Sequence, residues 1–287
     1  MPINALMKPK TYDCFCYFNE DMLLELRFET LWNYVDYFII SEAIYTQSGK
    51  PKPLNFKIEK FLKYKDKIRY LIVDHFPPGS MDFWKNENYQ RNYLINGLYD
   101  ANTDDWIIVS DLDEIPNPKL ISTYDPKRFK RGDFQQRAYV YRLNNLSINK
   151  SSEPAIWQGS KITTYHYLLD FFKNITAVRS YKSIGLLRAI KRSWFMKYQT
   201  QKIMNGGWHF SWVFSSQSII LKMESIAEQN FVREEFKNID YIESRINLGL
   251  DVLDRDCQYL PQTVSFEQFP PFLVEHTEKY KAWLLPY

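Results

Sequence analysis

Trp106–Ile107–Ile108–Val109–Ser110–Asp111–Leu112–Asp113–Glu114–Ile115–Pro116 runs from an unbroken apolar stretch straight into a cluster of acids. A short apolar run bounded by polar residues reads as a strand buried on both faces, as in a parallel sheet. Carboxylates are not buried unpaired, so the run must end at an edge where the acids meet solvent, a partner or a cation. Toward the N-terminus, Tyr12–Phe18, Tyr37–Ser41 and Ile68–Val73 also read as strands. Asp21–Tyr34 carries Leu23, Leu24, Arg27, Phe28, Leu31 and Trp32 mostly at helical spacing, and Asn86–Tyr99 reads as a second helix. Strands and helices taking turns predict an α/β fold with a Rossmann-like, mostly parallel central sheet flanked by helices. Asn19–Glu20, Glu42, Asp74–His75 and Asp111–Asp113 then fall at four strand ends. Open α/β sheets bind ligands beyond that carboxyl edge.

The second half is less regular. Phe134–Leu143 and Ala155–Tyr165 read as strands, and Leu186–Tyr198, Ser216–Gln229 and Ile239–Leu248 as helices. Gly206–Gly207–Trp208–His209 reads as a turn. Pro261, Pro270, Pro271 and Pro286 predict an extended strap over 257–287.

Charged residues at 25% and hydrophobic residues at 45% exclude a disordered or fibrous chain. Tyr, Phe and Trp are abundant, which suits stacking on sugars or bases and equally a large core. The net charge of +3 is dispersed, so no nucleic-acid partner is implied. The basic stretch Arg179–Lys202 can face phosphates or an anionic membrane surface, or form a solvated helix face. Cys14, Cys16 and Cys257 have neither metal-ligand nor redox spacing, which argues against a disulfide framework and fits a reducing compartment. No apolar window reaches the ~18 residues of a spanning helix, and Met1–Lys10 lacks a signal-peptide core. A soluble, cytoplasmic protein is the expectation, with peripheral contact at the inner face of the membrane as the variant the basic stretch allows. The sequons at Asn145, Asn149 and Asn174 are then chance.

Asp111 and Asp113 have the spacing that lets two carboxylates on one side of a strand end reach a Mn²⁺ or Mg²⁺ ion. Such an ion neutralises a departing diphosphate. The alternative is an exposed Asp-rich turn capping a helix, helped by Pro116 and Pro118. His209 offers a third ligand, because imidazole suits Mn²⁺ and Gly206–Gly207 lets the backbone turn near a ligand. A structural histidine is the alternative.

Six segments in order, Tyr12–Phe15, Phe18–Glu20, Glu42 with Thr46–Leu54, Asn86–Asn92, Ser110–Pro116 and Gly206–Trp212, resemble the motif set of glycosyltransferase family 17. The resemblance covers roughly residues 11–250. It implies a single GT-A-type domain over 11–256, after an N-terminal extension at 1–10, with a nucleotide-sugar-binding half at 11–115 and an acceptor-binding half at 116–256. It also implies a UDP-sugar donor, UDP-GlcNAc in the characterised member, a divalent metal, and inversion at the anomeric carbon.

By position, Asp111 and Asp113 would hold the metal and His209 would complete its shell. Arg91 would approach the diphosphate, since a guanidinium forks onto phosphate oxygens, or would pair with Glu87 one turn earlier. Asn19 and Glu42 would meet uracil or ribose, or fix loops. Lys50, in a loop stiffened by Pro51 and Pro53, would line the donor site or stay solvated. A general base is required. Glu114 or Glu153 is the choice, with Asp133 and Glu224 as further carboxylates in the second half. Trp157, Trp208 and Trp212 are sugar platforms or core residues. Ala227–Glu228–Gln229–Asn230 departs from the Ala-His-Gln-Glu of many bacterial-type members, which puts acceptor or donor details in doubt.

The function expected is therefore a β-1,4-N-acetylglucosaminyltransferase-like transfer of GlcNAc to a saccharide acceptor. The product would be a surface glycan such as lipopolysaccharide or capsule, or an N-glycan-like structure. The alternatives are a non-catalytic glycan- or nucleotide-binding protein of the same fold and a sugar nucleotidyltransferase. The latter needs a Gly-rich basic loop after the first strand, where Phe18–Asp21 is acidic and lacks Gly.

Overall fold

The computed structural model describes residues 8–77, 82–181, 187–225 and 233–286. Its strands, in chain order, are β1 (Thr11–Cys16), β2 (Tyr37–Ala43), β3 (Ile68–Val73), β4 (Trp106–Val109) and β5 (Glu114–Pro116). They continue with β6 (Arg131–Val140), β7 (Asn145–Ile148), β8 (Ile156–Thr164), β9 (Thr200–Ser211) and β10 (Gln258–Pro261). The α-helices are α1 (Asp21–Leu31), α2 (Phe83–Tyr93), α3 (Tyr165–Tyr167), α4 (Ile175–Arg179), α5 (Arg188–Tyr198), α6 (Ser216–Ser225), α7 (Ile239–Asn247) and α8 (Pro271–Glu275).

The chain divides into two compact units. One comprises the residues up to Leu112, Pro118–Phe134 and Ser160–Ile203; the other comprises Asp113–Asn117, Gln135–Gly159 and the chain from Met204 onward. The ranges of β6, β8 and β9 each divide between the two.

In the first unit, β4, β1, β2 and β3 lie side by side and parallel, so the expected α/β class holds. Thr164–Lys161 of β8 runs antiparallel to β4. Alternation along the strands divides the apolar side chains between two faces. Tyr12, Cys14, Ile39, Ile107 and Val109 pack with Leu94, Leu98, Leu168, Phe172 and Phe195. Phe28 of α1 meets Phe38 of β2 at 4.7 Å between ring centroids, with Phe61 at 5.6 Å. Asp82 starts α2 earlier than the periodicity predicts, because its carboxylate accepts from the backbone N–H of Trp84 and Lys85. After Tyr93 the chain tightens into a 3₁₀ turn over Leu94–Leu98. There Gly97 sits so close to Ile39 that an added Cβ would lie 2.3 Å from its Cγ2.

β6 begins at Arg131 rather than at Phe134, with polar residues that are buried because they are paired. Asp133 accepts from Arg131 at 3.0 Å and lies 3.2 Å from Lys161 Nζ. Hydrophobic patterning does not register such a start.

The second unit is antiparallel. β5 pairs with β9 and β7 with β10, and Tyr139 of β6 faces Leu146 of β7. Its core gathers Tyr141, Ile219, Met223, Ile242, Ile246, Val252 and Tyr259. Two expectations are corrected here. Gly206–His209 is not a turn but part of β9. Gly207 has φ +129°, and a Cβ there would fall 2.2 Å from the Ile115 carbonyl, so the glycine serves close strand approach. The segment after Cys257 is not a mere strap either, since it forms β10 and α8 and buries Phe269, Leu273 and Tyr280. Pro261 ends β10, and Pro270 and Pro271 stand at the start of α8, where proline is tolerated. The predicted helix from Ser216 is described to Ser225, and Ala227–Asn230 lies outside the described residues.

Asp251 ties this core together. Its fully buried carboxylate accepts from Tyr141 at 2.8 Å, Tyr259 at 2.6 Å and Arg255 at 2.9 and 2.8 Å. Burial alone would raise its pKa, but these hydrogen bonds outweigh it and push the carboxyl down to about 2. A depressed carboxyl pKa stabilises the fold above its unfolded value near pH 4, and that contribution is lost as pH falls through about 2. Asp251→Asn should therefore cost roughly 2 kcal/mol at neutral pH, with the deficit shrinking between about pH 4 and pH 2. Urea unfolding across that range measures it; a deficit independent of pH would contradict the assignment.

Candidate active site

In the first unit the site is built from a cation in an apolar stripe. Arg27 lies on the inward face of α1 among Leu23, Leu24, Phe28 and Leu31, and is fully buried. It is tolerated because Asp13, on β1, takes both ends of the fork: Nε donates to Oδ2 at 2.7 Å and Nη2 to Oδ1 at 2.6 Å. The remaining donors hold the chain just after β4. Nη1 donates to the carbonyls of Asp111 at 3.2 Å and Leu112 at 3.0 Å, and Nη2 donates to the Ser110 hydroxyl. The backbone that carries Asp111 is thus fixed from below by a buried ion pair. Sequence reading placed Arg27 in the stripe without asking for its counter-charge. The signal was a charged residue within the apolar stripe of α1 and a single acid in the otherwise uncharged β1.

Asp111 is clamped in turn. Oδ1 accepts from Arg91 Nη2 at 3.0 Å and Oδ2 from Arg179 Nη2 at 2.6 Å, while the side chain keeps 40% exposure. Arg91 also pairs with Glu87, the ion pair that was the alternative to diphosphate contact, and its bond to Asp111 is a partnership the sequence did not indicate. Burial opposes the charge on Arg91, but Asp111 and Glu87 outweigh it and its pKa is raised. Arg179, at the end of α4, is a functional candidate the motifs missed; its only trace was its place at the head of the basic stretch. Two guanidiniums meeting on one carboxylate present a fork suited to phosphate oxygens.

Other strand-end residues build the loops. Glu42 is fully buried and accepts from Lys52 Nζ at 2.6 Å, Asn55 N at 2.7 Å, Phe56 N at 3.0 Å and the Tyr70 hydroxyl at 2.8 Å. It acts as the loop-fixing carboxylate that was the alternative to nucleoside contact. Asn55 donates to the Phe18 carbonyl and Asn86 to that of Gln47, which secures the loop after β2. Asn19 and Lys50 are exposed, anchored through backbone N–H bonds to Glu20 and Thr46.

In the second unit, β5 and β9 bring a different set together. Glu114 stands opposite His209 in the ladder, and the Asp113 carbonyl accepts from Phe210 N at 2.8 Å. His209 Nε2 lies 3.7 Å from Asp113 Oδ2. Trp157 stacks on the imidazole with 4.7 Å between centroids and donates its indole N–H to Glu114 at 2.6 Å. Gly159 makes this possible, since a Cβ there would lie 1.9 Å from Gln136 Oε1 and 3.0 Å from the Glu114 carboxyl carbon.

Two neighbouring ligands about 2.1 Å from one octahedral ion are about 3 Å apart. The Asp113–His209 spacing is thus within a small rotamer adjustment of a shared cation, whereas both oxygens of Asp111 are taken by arginine. Among the described residues, no three His, Cys, Asp or Glu side chains are grouped to hold a metal ion.

Glu153 stands apart, on an exposed turn beside Asn149. Asp133 is committed to Arg131 and Lys161. The Glu224 side chain lies outside the described set. Trp208 is a core residue, 8% exposed and donating to the Gln268 carbonyl, while the Trp212 ring stands edge-on to Tyr141. Among the described residues no helix is long and apolar enough to cross a membrane.

A parallel sheet with polar residues at its carboxyl edge places the chain among the α/β proteins that bind ligands at strand ends. The family model for glycosyltransferase family 17 matches residues 4–152, just over half of the 287, and the chain belongs to that family. The beta-1,4-mannosyl-glycoprotein 4-beta-N-acetylglucosaminyltransferase of Rattus norvegicus is 26% identical over 295 residues, covering 91% of this chain and 52% of the relative. The Homo sapiens protein of that name is 26% identical over 291 residues, covering 90% and 52%. The chain spans about half the length of the curated relatives it matches. Among solved structures, a 4-diphosphocytidyl-2C-methyl-D-erythritol synthase aligns with a TM-score of 0.39 and 12% identity, covering 69% of this chain and 89% of that one.

Arg27→Met leaves Asp13 buried without its partner and should lower stability by about 3–5 kcal/mol. Equilibrium denaturation measures this, and a loss below about 1 kcal/mol, the range of an exposed pair, would contradict the buried clamp.

Proposed function

We propose that this chain is a metal-dependent, inverting glycosyltransferase that moves GlcNAc from UDP-GlcNAc to a saccharide acceptor. Its product is a surface glycan such as lipopolysaccharide or capsule, or an N-glycan-like structure, made in the cytoplasm or at the inner face of the membrane. Family membership and the names of the relatives support the sugar-transfer reading. The observation that carries the chemistry is the Asp113–His209 pair at 3.7 Å with Glu114 beside it.

In this reading Asp113 and His209 would hold Mn²⁺ or Mg²⁺, and Asp111, two residues earlier in the chain, would be the third ligand. A divalent ion bound there neutralises charge on the departing diphosphate. Arg91 and Arg179 bind the diphosphate oxygens, and in doing so exchange Asp111 for phosphate and release its carboxylate. Glu114, which accepts the Trp157 indole N–H, is the base that takes the proton of the attacking acceptor hydroxyl. Glu153, exposed on its turn, is the lesser choice for the base. The loop fixed by Glu42, with Asn19 and Lys50 exposed on the strand-end loops, receives the nucleoside.

The test is UDP release from UDP-GlcNAc with mixed glycan acceptors, with and without Mn²⁺. Glu114→Gln should lower kcat about 10²–10⁴-fold while UDP affinity holds. Mn²⁺ should bind about tenfold tighter when UDP is present, because the two sites are coupled. Release from no UDP-sugar, or Mn²⁺-dependent turnover unchanged in Asp113→Ala, would overturn the reading.

A further inference from the structure

The second unit holds a cavity of about 360 Å³ that nothing above uses, lined among others by Arg142, Phe214, Ser216, Gln217, Glu243 and Trp283. That volume is within the range of small-molecule sites. We propose that it is a binding site for a neutral saccharide unit, a distal sugar of the acceptor glycan. The assignment to an acceptor rests on the transferase reading; the assignment to a neutral sugar does not.

Charge is the first argument. Arg142 is 8% exposed and donates through Nη2 to both oxygens of Glu243, at 3.0 and 2.8 Å. Its Nη1 donates to the Tyr141 carbonyl at 3.0 Å, and the Ser216 hydroxyl donates to Glu243. The cation is therefore matched one-to-one by a carboxylate within the cavity lining. A phosphate or nucleotide would meet that carboxylate and find no uncompensated cation there.

Chemistry is the second. The Glu243 side chain remains 41% exposed, so the ion pair is a polar wall and not a sealed core contact. A carboxylate with lone pairs to spare, a serine hydroxyl and the exposed Gln217 amide offer acceptors and donors side by side, as neighbouring sugar hydroxyls require. Phe214, Ile239 and Trp283 supply apolar surface for the C–H face of a pyranose. The pair is already ordered by its own hydrogen bonds, so little side-chain freedom remains to be lost on binding.

Position is the third. Phe214 follows His209 by five residues, so their Cα atoms are at most about 18 Å apart. Tyr141, next to Arg142, donates its N–H to the Ser211 carbonyl at 3.0 Å, which ties the cavity floor to the end of β9. One oligosaccharide of a few units can span from the Glu114–His209 set to this cavity.

Calorimetry with N,N′-diacetylchitobiose and mannotriose, and separately with inorganic phosphate and pyrophosphate, tests the site on the full chain. One neutral oligosaccharide should bind, and Gln217→Ala, at an exposed position, and Trp283→Leu should each weaken it at least fivefold. Mn²⁺-supported UDP binding should be unchanged in both variants, which also shows that they fold. In the transfer assay the same variants should raise the KM of an oligosaccharide acceptor at constant kcat. Preference for phosphate, no binding of either oligosaccharide, or binding indifferent to both variants would overturn the proposal. If UDP-sugar turnover is absent but the oligosaccharide binding and its loss in the variants stand, the transferase reading fails and the sugar site survives.

Discussion

A guanidinium buried without its counter-charge would destabilise the fold more than most single apolar contacts stabilise it, and the Arg27–Asp13 pair is the constraint from which the rest of the first unit follows. It fixes the rotation of α1, because only one face can present Arg27 to Asp13. It fixes the height of β1 in the sheet for the same reason. Its spare N–H groups then hold the carbonyls of Asp111 and Leu112, so the chain beyond β4 is shaped by side-chain hydrogen bonds from beneath. Pairs of this kind add little net stability compared with an apolar replacement. Their contribution here is geometric, since Asp111 is aimed by a backbone that cannot drift.

The two aspartates of one short motif then have different surroundings. Asp111 meets Arg91 and Arg179, and Asp113 faces an imidazole. A carboxylate already paired with two guanidiniums is a poor open ligand, and in the proposed reading a diphosphate would compete for the same N–H groups. Glu42 shows the opposite use of a strand-end acid. It accepts from Lys52, Asn55, Phe56 and Tyr70, and the loop after β2 takes its shape from these bonds.

The parallel core was legible from sequence because apolar runs and helical stripes are local signals: β1 to β4, α1 and the acids at the carboxyl edge fall where periodicity puts them. The motif segments also contain Asp111, Asp113, Arg91 and His209, the residues of the candidate site. What stayed hidden depends on partners far along the chain. Arg179 reaches Asp111 across 68 residues, and nothing near either residue signals the other. The start of β6 is polar and buried, which a hydrophobic pattern counts as loop. Gly207 illustrates a further ambiguity: a glycine with positive φ can turn the chain or let a strand approach its neighbour, and only the Ile115 carbonyl decides.

The most direct measurement is UDP affinity, by calorimetry with Mn²⁺ present, in Arg27→Lys. Lysine keeps a positive charge near Asp13 but loses the forked donors that reach the carbonyls of Asp111 and Leu112. We predict a folded protein that binds UDP at least about tenfold more weakly, equivalent to about 1.4 kcal/mol. A folded Arg27→Lys protein with unchanged UDP affinity would show that the buried pair does not position the donor site.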